Sequence, residues 1–162
     1  MPLTGHKVAV WTLDGVTFGF RLAEPTPERL KRAVRGRDDS LAWWDDNVEL
    51  FLDVLGTRED YYQPIVNANA AVLDGKGRDA SWTCKGLKAA AHVGEDFWSL
   101  EAYVPYAAFE RLRRPGTGVQ WWGNFTRHRV CDKNPREYQR LNTTYEPGSH
   151  NMMAFGPIRF VE

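Results

Sequence analysis

Alternation of apolar and polar residues dominates the chain and predicts a protein built from short β-strands. In residues 16–22, for example, Phe18, Phe20 and Leu22 share one side of an extended segment. A turn at Asp14-Gly15 joins this strand to the one before it. We predict strands at residues 6–11, 16–22, 47–53, 61–67, 81–84, 87–93, 97–104, 119–130 and 158–161. Many short strands separated by turn signals are typical of an all-β protein, and we expect one domain over 1–162 that is an antiparallel, jelly-roll-like β-sandwich.

Two short segments have the signals of a helix start. Thr26 stands as an N-cap before Pro27, which predicts a short helix to about Val34. Pro105 begins a second short helix, predicted over residues 106–112. Residues 131–151 are rich in polar and turn-forming residues, and we predict a loop there. Two further strands, at 81–84 and 87–93, are predicted to pair as a hairpin.

Composition narrows the possible function classes. The chain has 162 residues, 43% of them hydrophobic, with 21 basic and 21 acidic side chains. A net charge of zero argues against a bulk electrostatic nucleic-acid binder, and no apolar run approaches the roughly 20 residues of a membrane helix. The charge is uneven, because residues 41–110 are acidic and residues 111–162 are basic. Seven tryptophans are more than a small core needs, so we expect some of them at a binding surface.

Tryptophan and polar residues share one face of the predicted sheet. Alternation along residues 119–130 places Trp122 and Asn124 opposite the core-facing Phe125. Glu49 faces away from its apolar neighbours in the same manner. An exposed aromatic ring can stack on the apolar face of a sugar while acids and amides bond its hydroxyls. The other interpretation is that these tryptophans lie under loops as an extension of the core, and the pattern alone leaves both open.

Five segments resemble, in order, the motifs of the family 9 carbohydrate-binding modules and their DOMON-like relatives. The first is Trp43–Asp53, which resembles W-x-D-D-x-V-E-hydrophobic-F-hydrophobic-D. The others are the YYQ and VNAN stretches within 61–69, WSLEAYVPY at 98–106, Trp121 with NFTR at 124–127, and His150 with Phe155-Gly156. The matches cover most of the chain, so the family assignment rests on several independent motifs.

The resemblance implies a β-sandwich that binds sugars without cutting them. Trp43 would be the stacking platform, and Glu49 and Asn124 would bond sugar hydroxyls, with Trp122 and His150 completing the walls. A structural calcium ion is common in such modules, whereas no cofactor is required for binding. The implied partners are mono- or oligosaccharides and neighbouring domains of a larger polysaccharide-active protein. We expect neither a nucleic acid nor a membrane as a partner, and an extracellular or periplasmic location, although the chain shows no signal peptide.

Two departures from the family pattern qualify these expectations. Binding members have a second stacking tryptophan just before the closing F-G segment, where this chain has Ser149 and His150. His150, Trp122 or Tyr145 would have to replace it. The family's first strand should precede Lys7 and is absent from this sequence, so either it has been trimmed or this member does without it. A missing strand would leave an open edge that another chain could fill.

Several alternatives stay open at this point. The module could be a structural or interaction domain that has no sugar site. A hydrolase would need two nearby carboxylates, for which Glu49 and Glu101 are the candidates, and Glu101 could instead be a buried structural acid. A haem-binding relative would use His150, Met152 or Met153 as axial ligands.

Other polar residues have structural interpretations. Asp45 and Asp46 are expected to bond the backbone of a loop, and Arg127 to pair with an acid in preference to contacting a sugar. Cys84 and Cys131 are compatible with one disulfide or with two buried thiols.

Overall fold

Two antiparallel sheets face each other in the computed structural model, which describes residues 5–110, 112, 114–130, 136–145 and 148–162. The ten strands are β1 (His6–Trp11), β2 (Gly15–Ala23), β3 (Asn47–Asp53), β4 (Ile65–Asn67), β5 (Val72–Leu73), β6 (Lys88–Val93), β7 (Phe97–Pro105), β8 (Gln120–Arg129), β9 (Glu137–Arg140) and β10 (Gly156–Arg159). One sheet has the order β1-β2-β7-β6. The other has the order β10-β8-β3-β4-β5, with β9 also paired to β8. The predicted all-β sandwich is confirmed.

The core lies between the two sheets and follows the alternation that the sequence predicted. From β7, Trp98, Leu100, Ala102 and Val104 are buried and point inward, as expected. Val48, Leu50 and Leu52 of β3 meet them from the opposite sheet. Every second residue of β3 therefore points to the other side of its sheet, which is where Glu49 lies.

Neither predicted helix forms beyond a single turn. Thr26 and Pro27 do begin a helical turn, but it is a 3-10 turn over Pro27–Arg29. It ends because the backbone N–H groups of Lys31 and Val34, which would continue a helix, donate to the carboxylates of Asp46 and Asp45. The second helix is likewise only a 3-10 turn, Tyr106–Ala108. Two further 3-10 turns, Ser40–Trp44 and Met152–Ala154, were not predicted.

Several strand and loop predictions differ from the structure. The strand predicted at 61–67 is only Ile65–Asn67, the strand predicted at 158–161 is Gly156–Arg159, and Val72–Leu73 was not predicted. Residues 81–84 form no strand, and β6 pairs with β7 instead of forming a hairpin with them. The predicted loop at 131–151 contains β9, which pairs with β8 through His128↔Tyr138 and Thr126↔Arg140. The four residues of β9 are polar or amphipathic, so they give no apolar alternation to detect.

A buried ion-pair cluster fixes one end of the sandwich. Arg127, on the inner side of β8, donates to Glu24 at 2.7 Å, and Arg129 donates to the same carboxylate at 2.7 Å. Burial alone would raise the pKa of Glu24, but hydrogen bonds from Arg129 and Thr26 and the charges of both arginines hold it at about 2. The expectation that Arg127 pairs with an acid is confirmed.

Two remaining sequence predictions concern the membrane and the cysteines. None of the helical turns among the described residues is long or apolar enough to cross a membrane. Cys84 is a free, buried thiol whose pKa burial raises to about 12. Cys131 lies outside the described residues, as does the proposed disulfide that would include it.

Candidate functional site

The outer face of the six-stranded sheet combines the polar and aromatic residues that the sequence singled out. Asn47, Glu49, Phe51 and Asp53 alternate along this face of β3. The register places Asn47 beside His128, Glu49 beside Thr126, Phe51 beside Asn124 and Asp53 beside Trp122 of β8. On the other side of β3, Glu49 is beside Ile65 of β4. The face is therefore a continuous surface that runs from His128 at one end to Trp122 at the other.

Trp43 stands at the His128 end of this face. It is the fourth residue of the 3-10 turn Ser40–Trp44, which begins where the side chain of Asp39 accepts from the N–H of Leu41. The carbonyl oxygen of Trp43 accepts from the side-chain amide of Asn47 at 3.1 Å and from Nδ1 of His128 at 3.0 Å. The indole leans against the His128 ring, with 5.2 Å between the ring centres. These contacts fix the ring while leaving part of it exposed.

Buried acids and amides hold the segments on either side of Trp43. Asp45 accepts from the N–H of Val34 and from the side-chain amide of Asn67, both at 2.9 Å. Asp46 accepts from Lys31 at 2.8 Å and Val130 at 3.1 Å. Burial raises the pKa of Asp46 to about 6, against these hydrogen bonds. Both aspartates bond the backbone, which confirms their expected structural role.

Glu49 lies in the middle of the face and is almost fully buried, with 4% of its surface exposed. The amide of Gln63 donates to its Oε2 at 2.7 Å. Burial raises the pKa of Glu49, while Gln63 and the charge of Arg140 act in the opposite direction. The Glu49 carboxyl group is thus a polar group below the surface of this face, and water solvates it much less than an exposed carboxylate.

His150 stands on the far side of Glu49 from Trp43. Its ring packs edge-on against Phe51, with 5.4 Å between ring centres, and its Nδ1 lies 2.5 Å from the hydroxyl of Tyr61. Burial raises the pKa of Tyr61, so the phenol keeps its proton and is able to donate to Nδ1. Burial and the charge of Arg78 lower the pKa of His150, which favours the neutral ring. In the tautomer that accepts from Tyr61 at Nδ1, the proton of the ring is on Nε2, where it can be donated to a ligand.

Two adjoining clefts lie between Trp43 and His150, and both residues line both clefts. One has a volume of about 410 Å³ and is lined also by Glu49, Tyr138, Arg140, Gly148 and Ser149. The other, of about 270 Å³, lies towards β4 and β5 and includes Gln63 and Arg78. The Gln63–Glu49 hydrogen bond joins the two. We call the pair of clefts the Trp43 groove, and its size suits a small-molecule ligand.

Trp122 lies away from this groove although the sequence placed it in the same site. Six residues of extended chain, roughly 20 Å, separate it from His128 along β8. The guanidinium of Arg58 lies over the Trp122 ring, 3.7 Å from its centre. Of the three residues proposed to replace the second stacking tryptophan, only His150 lines the Trp43 groove; Trp122 and Tyr145 do not. The groove therefore does not include Trp122.

Asn124 is on the expected face but is fully buried there. Its Nδ2 donates to the carbonyl of Asn142 at 2.8 Å, and its Oδ1 accepts from the N–H of Asn142 at 2.9 Å. The amide therefore holds the segment after β9 against the sheet. Because both of its polar atoms are occupied and no surface is exposed, we leave Asn124 out of the proposed ligand contacts.

Glu101 is not the buried acid that the sequence suggested. It is exposed on the outer face of the four-stranded sheet, beside Gly19 and Ala90. Glu49 lies on the outer face of the opposite sheet, so the two carboxylates are separated by the whole sandwich, whose sheets alone pack about 10 Å apart. A glycosidase pair must lie within roughly 5–9.5 Å across one bond. The hydrolase built on Glu49 and Glu101 is therefore excluded.

Several residues of the groove were missed from the sequence. Gln63 belongs to the YYQ motif, so its position beside Glu49 could have been proposed. Tyr138 and Arg140 share one face of β9 and required that strand to be recognised. Arg78 lies at the turn between Lys76 and Asp79, far from any motif. His128 stacks on Tyr138 with 4.5 Å between ring centres, and only the pairing of β8 with β9 reveals this contact.

The residues of the described chain do not form an evident calcium site. Among them, no group of three or more His, Cys, Asp or Glu side chains is arranged to hold a metal ion. The buried carboxylates near Trp43 already accept backbone N–H groups. The expected structural calcium thus stays a prediction.

No family model and no curated protein sequence matches this chain. Solved structures do match it. A candidate carbohydrate-binding protein from Bacteroides uniformis is 20% identical, with a TM-score of 0.75 over 94% of this chain and 76% of its own. A family 9 carbohydrate-binding module from Caldicellulosiruptor kristjanssonii in complex with cellotriose is 17% identical, with a TM-score of 0.72 over 96% and 73% of the two chains.

A family 9 module from the same organism in complex with glucose is 15% identical, with a TM-score of 0.71 over 94% of this chain and 74% of its own. These likenesses show that the chain has the fold of a family 9 carbohydrate-binding module. The fold implied by the sequence motifs is confirmed.

Proposed function

We propose that this chain is a non-catalytic carbohydrate-binding module and that the Trp43 groove is its binding site. One observation carries the proposal: Trp43 and His150 line the same two clefts on either side of the Gln63–Glu49 hydrogen bond. Two structures of the same fold contain glucose and cellotriose. A groove with aromatic walls and polar atoms at its floor matches the mixed surface of a sugar ring.

Each residue of the groove has a distinct part in this proposal. The exposed part of the Trp43 indole stacks on the apolar face of a sugar ring. Glu49 and Gln63 bond hydroxyl groups from the floor. His150 replaces the family's second tryptophan, and its Nε2–H donates to a hydroxyl from the opposite wall. Asn47 and Phe51, which lie beneath the two walls, are four residues apart on β3, or roughly 13 Å, which leaves room between the rings for a sugar.

The proposal includes a setting for the module. It would be part of a larger extracellular or periplasmic protein that acts on polysaccharides, with neighbouring domains as further partners. Affinity for one or two sugar units should be modest, with a Kd of about micromolar to millimolar, or roughly −4 to −8 kcal/mol. Such an affinity is sufficient for a module that keeps an attached enzyme near a polymer.

Calorimetry and tryptophan fluorescence with a panel of sugars test the proposal. The panel is glucose, galactose, cellobiose, cellotriose and oligogalacturonate, titrated into protein whose folding is checked by its melting transition. At least one sugar should give a saturating signal in both methods. If none does, sugar binding is wrong, and the loss of the second tryptophan would favour a structural role for the same fold.

A variant locates the binding within the groove. His150→Ala removes one wall and one hydrogen-bond donor, and should weaken binding of the best sugar about tenfold. His92→Ala is the matched control, since His92 is exposed on the outer face of the other sheet. Equal affinities of the two variants would place the site elsewhere.

A further inference from the structure

Two arginines stand on opposite sides of the Trp43 groove. Arg140, on β9, lines the cleft that contains Glu49 and Tyr138. Arg78, in the turn between Lys76 and Asp79, lines the cleft towards β4 and β5. Each cleft is also lined by Trp43 and His150. A ligand held at Trp43 would therefore have a guanidinium group on either side.

Neither guanidinium is neutralised by an ion pair within the described residues. Arg78 is exposed. Arg140 donates from Nε to the hydroxyl of Ser149 at 2.9 Å, and its guanidinium lies 5.8 Å from the centre of the Tyr138 ring. Three other arginines do have acidic partners: Arg127 and Arg129 pair with Glu24, and Arg37 with Asp74. The two groove arginines differ from them.

The acids that line the groove do not offset these charges fully. Asp74 is paired with Arg37 and also accepts from the N–H of Cys84. Asp79 is exposed and charged, because the side-chain and backbone hydrogen bonds from Ser81 lower its pKa. Glu49 is buried and bonded to Gln63, and burial opposes its ionisation. Among the described residues, the groove therefore has two guanidinium groups without an ion pair against one exposed carboxylate, that of Asp79.

Positive charges also lie near the two histidines on either side of the groove, although burial is the first cause of both pKa shifts. After burial, the charge of Arg78 is the other cause that lowers the pKa of His150. Burial also lowers the pKa of His128, and the charges of Arg136 and Lys31 add to the effect. Arg136 lies over Trp44, next to Trp43, with 4.2 Å between its guanidinium and the ring centre. Cations thus surround the stacking platform.

We propose that the Trp43 groove prefers an anionic oligosaccharide, with Arg78 and Arg140 binding acidic groups on either side of the sugar that stacks on Trp43. This inference rests on the proposed sugar binding. The planar guanidinium forms paired, charge-assisted hydrogen bonds with oxyanions, which a neutral sugar cannot offer. The shared chemistry is an oxyanion on a sugar ring, carried as the carboxylate of a uronic acid or as a sulfate ester.

Four ligands of similar length test the preference by calorimetry in low salt. They are oligogalacturonate, a sulfated galacto-oligosaccharide, and the neutral galacto- and cello-oligosaccharides. One of the acidic ligands should bind about tenfold or more tightly than the neutral ones, because hydrogen bonds between charged groups are stronger than those between neutral ones. Raising the NaCl concentration from 0.05 to 0.5 M should weaken the acidic ligand and leave a neutral one unchanged.

Variants assign the preference to the two arginines. Arg78→Gln and Arg140→Gln should each weaken the acidic ligand about tenfold while changing the affinity for a neutral sugar less than twofold. Arg140→Lys, which keeps the charge without the planar fork, should lose less than Arg140→Gln. Arg159→Gln is the control, since Arg159 lies on β10 and lines neither cleft.

The outcomes separate this inference from the proposed function. If the neutral sugars bind as tightly as the acidic ligands or more tightly, and His150→Ala removes this binding, the acidic preference is wrong and the proposed function stands. An acidic preference that survives both arginine variants would overturn the assignment to these residues. Failure of all four ligands with folded protein would overturn both proposals.

Discussion

The outer face of the six-stranded sheet has two ends that are alike in sequence and different in structure. Each end has a tryptophan beside polar residues of β3 and β8. At one end Trp43 stays partly exposed and lines two clefts with His150. At the other, Trp122 is also partly exposed, but its ring lies under the guanidinium of Arg58 and next to the packed rings of Phe51, Tyr61 and Phe155.

The cause of the difference is a single segment that crosses the second end. Arg58 donates to the carbonyl groups of Met152, Met153 and Phe155 at 3.1, 3.2 and 3.4 Å. These bonds bring residues 152–155 against the sheet beside Trp122. At the Trp43 end, the residues just before them, Ser149 and His150, form a wall of the groove instead. We therefore expect an outward tryptophan to bind a ligand only where no later segment covers it.

The largest effect should come from the packed end. Phe155→Ala removes a ring that is 3% exposed and contacts Phe51 and Tyr61, and should lower the free energy of unfolding by roughly 3–5 kcal/mol. Sugar affinity, measured below the transition, should change less than twofold. Urea denaturation measures the first and calorimetry the second. Met153→Ala, whose side chain is 76% exposed, is the control and should cost at most about 0.5 kcal/mol; equal losses would show that this end is not packed as described.

A smaller loss is expected from the buried amide between the two ends. Asn124→Ala leaves the N–H and carbonyl of Asn142 without their partner and should cost about 1–3 kcal/mol, again by urea denaturation. The affinity for sugar should stay unchanged. Gln120→Ala, at the half-buried start of β8, loses only an exposed hydrogen bond from Arg159 and is the matched control. If folded Asn124→Ala protein no longer bound sugar, Asn124 would have to be counted among the ligand contacts.

At the groove end, the buried acid Glu49 should make the stability of the protein depend on pH. The pKa of Glu49 in the folded protein is raised by burial above its ordinary value of 4.5, with Arg140 the charged group that faces it. Its contribution to stability is therefore complete below pH 4.5 and is lost as the pH rises through the folded value. Glu49→Gln cannot ionise, so its melting temperature relative to wild type should rise from pH 4 to pH 8. A difference that is constant with pH would contradict the raised pKa.

The strands that pack the core could be predicted because burial on one side imposes alternation. The prediction for Asn47–Asp53 matches β3 residue for residue, and the four inward residues of β7 are correct. The helix after Thr26 could not be excluded from local signals. Its continuation fails because Asp45 and Asp46 take the backbone donors of residues 31 and 34, and these acids are more than ten positions away in sequence.

The candidate site could also be predicted only in part, because distant segments decide which of its residues are exposed. Trp43, Glu49 and His150 belong to sequence motifs, and the structure brings them together around one groove. Trp122 and Asn124 have equally suitable positions by alternation, but the residues that cover them come from 58 and 142. Arg78 and Arg140 belong to no motif: the pairing of β9 with β8 places Arg140 at the groove, and the turn between Lys76 and Asp79 places Arg78 there. Which face a residue occupies follows from local pattern, whereas its exposure depends on distant segments.

Calorimetry of two tryptophan variants with the best ligand of the sugar panel tests the difference between the two ends most directly. Trp43→Ala should reduce binding at least tenfold while the protein still melts cooperatively. Trp122→Ala, which removes the same ring from the covered end, should bind within twofold of wild type. Retained binding in folded Trp43→Ala, or loss of binding in folded Trp122→Ala, would contradict the assignment of the sugar site to the Trp43 groove.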